Sequence, residues 1–339
     1  DGYQLTNSTY GKLYRKSSFK YGNYTDALLK YGNLSGNVSF GLNNRSFYNR
    51  SEENDYDGSK LSSDNRLKKF AYFGIMNFTW TPKPINGSIN IYCSYYRDDA
   101  KNKKNEEYAA SGIVDKQVNR SNKDVPDLLS LNIEYDSNDS LRNQFKLAYG
   151  LLNGKDDFSE NFCNNLNQAG FMGKKINGHQ HILEGQYMYK LPTLEFKVGT
   201  QVYLSRLKED YREDISLFSN YDITENLNSF YTSLQWKFLP KASLYIGARY
   251  EHTYYKYLDD GDKGSETYGN FAPSLVFNWK VQNNYDTSLK FSSENIRPGF
   301  YDLLPGKTIV SDKEYSQGNI TLMPCKKYKL SWENLLFHY

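Results

Sequence analysis

The chain has 339 residues, of which 16% are aromatic, and its 42 Lys and Arg nearly balance its 39 Asp and Glu, for a net charge of +3. This balance argues against a basic nucleic-acid surface. The mean hydropathy of −0.77 excludes a bundle of transmembrane helices, since no stretch approaches the roughly 18 consecutive apolar residues that each helix needs. No Pro/Gly/Ser-rich linker divides the chain, so we predict one domain over residues 1–339.

Short strands are predicted near the start of the chain. Residues 11–18 and 24–32 read as modest strands around a turn at 20–23, and a clearer strand carries Val38, Phe40 and Leu42 on one face. The polar, acidic segment 44–66 is predicted to be a long outer loop. Residues 55–58 within it are a partial calcium-loop pattern, but we favour a loop that is simply solvated.

Alternating apolar and polar residues then predict three hairpins. The first runs through 72–80 and 89–95 around a turn at 82–84. The second runs through 129–135 and 145–151 around 137–139, and the third through 181–189 and 194–204 around a Leu-Pro turn at 191–192. Long polar outer loops are predicted between the hairpins, at 97–126, 153–178 and 206–225, the last with a short helix.

The strongest alternation lies in residues 227–295. Apolar residues such as Phe230, Leu234 and Trp236 occupy every second position there, and the turns at 239–241 and 281–284 are short. Successive side chains of a strand point to opposite faces, so each strand has one apolar and one polar face. With an outer loop at 258–268 and a terminal strand within 321–339, the total is roughly fourteen strands.

A β-sandwich would alternate as well, but three features favour a transmembrane barrel. The predicted strands, of about a dozen residues, exceed the usual 5–6. Short turns alternate with long loops. Trp80, Trp236 and Trp279 lie on the apolar face just before a short turn, as in an aromatic girdle at headgroup level. We therefore predict an all-β, up-and-down antiparallel transmembrane β-barrel in the outer membrane of a Gram-negative bacterium. A polar all-β surface protein is the alternative.

Charged and amide residues on the polar faces are candidates to line the lumen. They are Glu134, Lys146, Glu195, Lys197, Gln235, Lys237, Arg249, Glu251, Lys280 and Lys290. Both signs occur, so no simple preference for anions or cations follows. We expect most of these side chains to hydrogen-bond across the inner wall.

Catalytic and metal-binding patterns are weak. His179, His181, His252 and His338 lack the spacing of catalytic motifs, and the three cysteines Cys93, Cys163 and Cys325 lack the spacing of metal ligands. We predict no enzyme and no cofactor, with a disulfide between two cysteines left open. Since the first residue is Asp in polar sequence, we expect either that a signal peptide has been removed or that the sequence begins downstream of it.

Two segments near the end carry a family resemblance. Residues 291–305 read FSSENIRPGFYDLLP and residues 315–324 read YSQGNITLMP. They resemble two successive motifs of the outer-membrane β-barrel family among TonB-dependent receptors, Arg-Pro followed by Tyr and Leu-Asn-Pro, then Tyr-x-x-Gly-Asn-Pro-x-Leu-x-Pro. The matching positions are Arg297, Pro298, Tyr301, Leu304, Pro305, Gly318, Asn319 and Pro324. The departures are Leu304-Pro305-Gly306 for Asn-Pro-Phe, Ile320 for Pro and Cys325 for Glu.

We interpret the motif residues as loop architecture rather than as a border of the ligand entrance. A proline stops a strand, and Gly-Asn supplies a turn. The resemblance also implies a 22-strand barrel closed by a plug domain, of the kind that takes up ligands with energy from the TonB protein. With about fourteen strands and no plug, the chain is then expected to be a truncated barrel region.

The resemblance implies four partners: outer-membrane lipid, a plug domain, TonB and an unidentified small ligand. Nucleic acid is not expected. Two other functions remain open, a small passive outer-membrane pore and a surface binding protein that acts through long outer loops. An upstream plug would favour uptake, and steady ion conductance would favour the pore.

Overall fold

A computed structural model describes residues 2–14, 18–54, 60–83, 86–110, 113–137, 142–164, 169–213, 217–259, 261–282, 285–303, 308–309 and 315–336. Several positions discussed above lie outside these ranges. They are the partial calcium pattern at 55–58, the turn residues 138–139 and 283–284, and Leu304, Pro305 and His338.

The described chain is almost entirely β-strand. The strands are β1 Gly2–Tyr14, β2 Ser18–Tyr31, β3 Leu34–Asn54, β4 Lys60–Trp80, β5 Gly87–Ala110, β6 Ile113–Asp124, β7 Asp127–Ser137, β8 Asn143–Asn164, β9 Ala169–Lys190, β10 Leu194–Glu213, β11 Leu217–Leu239, β12 Ala242–Asp259, β13 Asp262–Gln282, β14 Tyr285–Ile296, β15 Thr308–Ile309, β16 Tyr315–Ser316 and β17 Cys325–Leu336. One helical turn, α1, spans Phe300–Leu303.

Fifteen strands form a single antiparallel up-and-down sheet, in which each strand pairs with its neighbours along the chain. β6 and β7 share one position, because β5 and β8 pair with β7 near the short turns and with β6 farther out. Pro126 interrupts this shared strand, since proline has no N–H to donate, yet its carbonyl still accepts a bond from the Asp98 N–H at 3.0 Å. The sheet therefore has fourteen strand positions, as predicted.

The face predicted to be apolar points outward. Phe230, Ile246 and Phe271 are 55%, 46% and 54% exposed, whereas residues of the opposite face, such as Ser229 and Glu251, are buried. Trp80, Trp236 and Trp279 also lie on the outer face, next to the short turns. This arrangement confirms the predicted barrel wall and fits lipid contact over about ten residues of each strand.

The strands continue far beyond those ten residues, so the predicted long outer loops are wrong. Strands β3 to β13 carry most of the segments 44–66, 97–126, 153–178, 206–225 and 258–268, including the region expected to hold a short helix. Outside the membrane a paired strand no longer needs an apolar outer face. These segments therefore lack the alternation of apolar and polar residues that predicts a strand, although their backbones remain paired.

Two turns also differ from prediction. Residues 20–23 lie within β2, whose hairpin partner β1 ends at Tyr14, so the first turn comes earlier than predicted. β12 and β13 meet at a tight turn in which Gly261 has φ +100°, a conformation that glycine adopts at no steric cost.

The inner face changes character along β9 to β12. Near the short turns it is polar, but farther out it carries buried apolar side chains. These are Met172 and Ile176 in β9, Leu207 and Tyr211 in β10, Tyr221 and Ile223 in β11, and Tyr255 in β12. The hydrophobic core therefore lies inside the outer half of the barrel wall. Among the described residues, β1 pairs only with β2 and β17 only with β14, so both carry a free edge.

Candidate functional site

The loop after β14, residues 297–324, contains both family motifs and is the longest connection. Its two motif segments are joined by one backbone hydrogen bond, and side-chain bonds fix a turn within each segment. The Gly299 N–H donates to Oδ2 of Asp302 at 2.8 Å, and the Asn319 N–H donates to the Asp302 carbonyl at 2.7 Å. The Thr321 N–H then donates to Oδ1 of Asn319 at 3.0 Å. Asp302 and Asn319 thus hold the two segments together, which fits the predicted architectural role.

The same loop folds back against the inner wall. Leu303 and Ile320 are 6% and 8% exposed and belong to the apolar cluster formed by the outer halves of β9 to β12. Ile320 stands where the family motif has proline, and its side chain contributes buried apolar surface, which favours this packing. The loop therefore lies inside the barrel wall at the outer end.

Arg297 connects this loop to the wall. Its Nη2 lies 3.1 Å from Oε1 of Glu251 in β12, and its Nη1 lies 4.0 Å from Oε1 of Glu225 in β11. Arg249 also contacts Glu251, with Nε 2.7 Å from Oε1, and Nδ2 of Asn295 donates to Oε2 at 3.1 Å. Glu251 is only 7% exposed. Charge-assisted bonds of this kind are roughly twice as strong as neutral ones.

The network continues down the wall from Arg249. Its Nη2 donates to Oε1 of Gln201 at 3.0 Å and to Oγ of Ser229 at 2.9 Å. Gln201 donates in turn to Oε2 of Glu184 at 3.1 Å, and the Tyr231 hydroxyl donates to Oε1 of Glu184 at 3.1 Å. These bonds join β9, β10, β11 and β12 across the inner face.

The ten candidate lumen residues fall into three separate groups. Glu195, Lys197, Gln235 and Arg249 line one cavity of about 520 Å³, with Glu251 adjoining Arg249. Lys237, Lys280 and Lys290 line a second cavity of about 730 Å³ beside the short turns, where Lys290 pairs with Glu333 at 2.7 Å. Glu134 and Lys146 pair with each other at 2.7 Å on β7 and β8. The three groups are distinct surfaces of one wall.

The motif residues divide in a similar way. Arg297 makes the ion pairs described above, Pro298 and Gly318 line a cavity beside the loop, and Asn319 caps the loop turn. Pro324 directly precedes β17, and Tyr301 lies in α1. The architectural role of these motif residues stays a prediction.

Sequence reasoning missed three residues that matter here. Glu184 lies on the polar face of β9, so alternation could have found it. Glu225 and Tyr255 lie where the inner face has become apolar, and the prediction had placed Glu225 at the end of an outer loop. Burial raises the pKa of the Glu225 carboxyl, and Arg297 opposes that rise.

A second charged cluster occupies the outer halves of β5, β6 and β8. Glu106 has a side chain with no exposed surface, and its Oε2 lies 2.8 Å from Nε of Arg120. Nη1 of Arg120 lies 3.5 Å from Oε1 of Glu160, and Lys104 lies 2.5 Å from Oε1 of Glu106. No sequence signal marked this cluster, because all four residues fell in segments predicted to be loops.

The histidines and cysteines have ordinary environments. Nδ1 of His181 lies 2.9 Å from the Tyr149 hydroxyl on the outward face. No disulfide bond joins any two of Cys93, Cys163 and Cys325. Within the described ranges, no three His, Cys, Asp or Glu side chains are grouped so as to hold a metal ion.

Three solved structures share this fold at low sequence identity. The chain resembles the alcaligin outer membrane receptor FauA from Bordetella pertussis with a TM-score of 0.57 and 10% identity, over 86% of this chain and 43% of that one. It resembles the ferric yersiniabactin uptake receptor FyuA from Yersinia pestis with a TM-score of 0.56 and 13% identity, over 98% of this chain and 51% of that one. It resembles the siderophore receptor PiuA from Acinetobacter baumannii with a TM-score of 0.52 and 11% identity, over 87% of this chain and 50% of that one.

The chain thus spans about half the length of these receptors. No curated protein matches its sequence. No helix in the described part of the chain is both long enough and apolar enough to cross a membrane.

A family model supplies the remaining comparison. The model described as the outer membrane protein beta-barrel family matches residues 135–332, which is more than half of the chain and includes both motif segments. The alternating strands, the outward tryptophans and the polar inner wall agree with that match. The chain belongs to the outer membrane protein beta-barrel family and lies in a Gram-negative outer membrane.

Proposed function

We propose that residues 1–339 are the barrel region of a TonB-dependent outer-membrane receptor that takes up a ligand across the outer membrane. Both motif segments of the sequence support this reading. The fold shared with three receptors agrees with it, although identities of 10–13% carry no information about a ligand.

The observation that carries the proposal is the inward position of the motif loop. Arg297 ties the loop to Glu251 and Glu225, and Leu303 and Ile320 anchor it in the apolar cluster. A ligand entering from outside would pass this loop before it reached the polar wall below. A loop held this way can shape an entrance, since its position is fixed by both charge and burial.

The proposed receptor has two protein partners and no catalytic activity. A plug domain would contact the polar groups of both signs on the inner wall, and TonB would supply the energy for release. The role is not enzymatic. The inner polar side chains support this, because they are engaged with one another in ion pairs and hydrogen bonds across neighbouring strands.

A passive pore of about fourteen strands is the second candidate. The cavity of about 520 Å³ on the inner wall favours it, because it is lined mainly by polar side chains and would stay wet. The two functions differ in what fills the lumen. An uptake receptor is closed by its plug at rest, whereas a pore conducts ions steadily.

The test uses the native polypeptide from outer membranes, identified with an antibody against the hairpins at residues 227–295. We expect an intact mass much larger than 39.4 kDa and no steady conductance in a planar lipid bilayer. We also expect chemical cross-linking in cells to join the protein to TonB. A native polypeptide of 39.4 kDa that conducts steadily would overturn the uptake function in favour of the pore.

A further inference from the structure

A partly open cavity of about 300 Å³ lies between the motif loop and β11, β12 and β13. Its deep side is formed by Tyr255, Leu303 and Ile320, which are 8%, 6% and 8% exposed. Glu225 lines it from β11, and Glu266 is at its exposed rim. This volume is at the lower end of the range for small-molecule sites.

The Tyr255 hydroxyl is a polar group without a function in the fold. It is buried, and it has no hydrogen-bond partner among the described residues. A buried hydroxyl in that condition costs free energy, and proteins usually satisfy such groups. A ligand in the cavity would supply the missing partner.

The charges around the cavity are not balanced. Glu225 and Glu266 face one cation, Arg297, whose shorter contact, 3.1 Å, is to Glu251 outside the cavity. The contact of Arg297 with Glu225 is 4.0 Å, longer than a hydrogen bond. Burial and the neighbouring Glu251 raise the pKa of Glu225, and Arg297 only partly opposes that rise. A second cation near Glu225 would therefore be stabilising.

Aromatic rings complete the lining. The ring centroids of Tyr255 and Tyr257 are 5.8 Å apart with a tilt of 44°, and Tyr268 lies on the neighbouring strand. The faces of such rings attract cations through their quadrupole. Carboxylates and tyrosine faces together form a setting that favours positive charge and disfavours an anion.

We propose that this cavity binds a small organic cation, the ammonium or guanidinium group of the ligand, with Glu225 as its counter-ion and the Tyr255 hydroxyl as a hydrogen-bond partner. The inference names a chemical class for the ligand and so rests on the proposed uptake function. Binding at the cavity can nevertheless be measured without transport. An ammonium group with a short alkyl chain would place its charge between Glu225 and the rings while its chain contacts Leu303 and Ile320.

The test is calorimetric titration of the native protein in detergent micelles with n-butylammonium and n-butylguanidinium, and with butyrate and butanol as probes of the same length. We expect saturable binding of the two cations, with binding of butyrate and butanol at least tenfold weaker. Glu225→Gln should weaken cation binding at least tenfold, and Tyr255→Phe should weaken it severalfold.

Asp222→Asn is the matched control, because Asp222 is a carboxylate on the same strand that pairs with Arg206 away from the cavity. It should bind the cations as the unaltered protein does. Glu266→Gln changes the exposed rim and tests the cavity even if Glu225→Gln does not fold. Equal binding of butyrate, no binding of any cation, or full binding by folded Glu225→Gln and Glu266→Gln would overturn the proposal.

The outcome is separable from that of the uptake function. Cation binding together with steady conductance would leave the site in place and assign it to a pore. Absence of binding in a protein that is heavier than 39.4 kDa and cross-links to TonB would remove the cation site and leave uptake standing.

Discussion

Arg297 and Glu251 form an ion pair of 3.1 Å between the loop after β14 and the inner face of β12. Arg249 and Asn295 bind the same carboxylate. Glu251 therefore joins the motif loop to the polar wall in one network. A substitution of either residue should therefore destabilise both the loop and the wall.

Arg297→Ala should destabilise the protein by about 1–3 kcal/mol, because it leaves the partly buried Glu225 and Glu251 with fewer partners. Urea unfolding in lipid vesicles measures the loss, and hydrogen exchange should quicken in residues 298–303 and 317–323. Arg206→Ala is the control, since its pair with Asp222 is more exposed and should cost less than about 1 kcal/mol. Equal effects of the two variants would show that Arg297 does not hold the loop.

Arg120→Met should destabilise the protein more than Arg297→Ala does, with a loss of about 3–5 kcal/mol in the free energy of unfolding. The reason is that it leaves the fully buried Glu106 carboxylate beside an apolar side chain. The double variant Arg120→Met with Glu106→Gln should recover much of that loss, since it removes a buried charge whose remaining ion-pair partner is Lys104. The two variants are compared with Glu106→Gln alone in a double-mutant cycle. Additive losses would mean that the two residues do not interact.

Asp156 should make stability depend on pH. Burial, and then its neighbour Asp124, raise the pKa of Asp156 to about 7. Between the unfolded pKa, near 3.8, and this value, the folded protein binds more protons than the unfolded chain. The free energy of unfolding should therefore fall as pH rises from about 4 to about 7.

Asp156→Asn should remove this dependence, as followed by urea unfolding at several pH values. Asp222 is a control of opposite sign, because the Arg206 guanidinium lowers the pKa of its carboxyl. Its stabilisation is lost only as pH falls below the unfolded pKa. Asp222→Asn should therefore leave the slope of the free energy of unfolding between pH 4 and 7 unchanged. An unaltered slope in Asp156→Asn would refute the assignment.

The two faces of the wall should respond oppositely to a new charge. Ile246→Arg places a cation on the lipid face near the membrane midplane and should cost about 2–4 kcal/mol. Gln235→Arg, on the inner face of the paired strand, should cost much less because the lumen is wet. Folding yield in vesicles and the heat-dependent gel shift measure the difference. Comparable losses would mean that the faces had been assigned wrongly.

Sequence alone predicted the wall near the short turns well. Lipid demands an apolar side chain at every second position there, and the wet lumen demands polar ones between them, so the alternation is regular in residues 230–238 and 242–250. The tryptophans beside the turns follow the same physical rule. These demands are local, and a local pattern can be read from the chain directly.

The outer halves of the strands were decided by tertiary structure. In β10 the apolar positions move from the outer face at Leu204 to the inner face at Leu207 and Tyr211. In β11 the move runs from Tyr221, Ile223 and Leu227 on the inner face to Phe230 on the outer face. The alternation of apolar and polar residues is interrupted at each of these two changes of face. The sequence between the two changes therefore predicts a loop.

The reason for that change of face is the loop of residues 297–324, distant in sequence, whose Leu303 and Ile320 fill the interior. An inner face covered by that loop becomes a core, whereas an outer face above the membrane meets water. Contacts between segments so far apart cannot be inferred from the pattern of one strand. Composition and periodicity therefore determined the membrane-spanning wall, and only the folded chain determined the covered interior and the cavity beside Glu225.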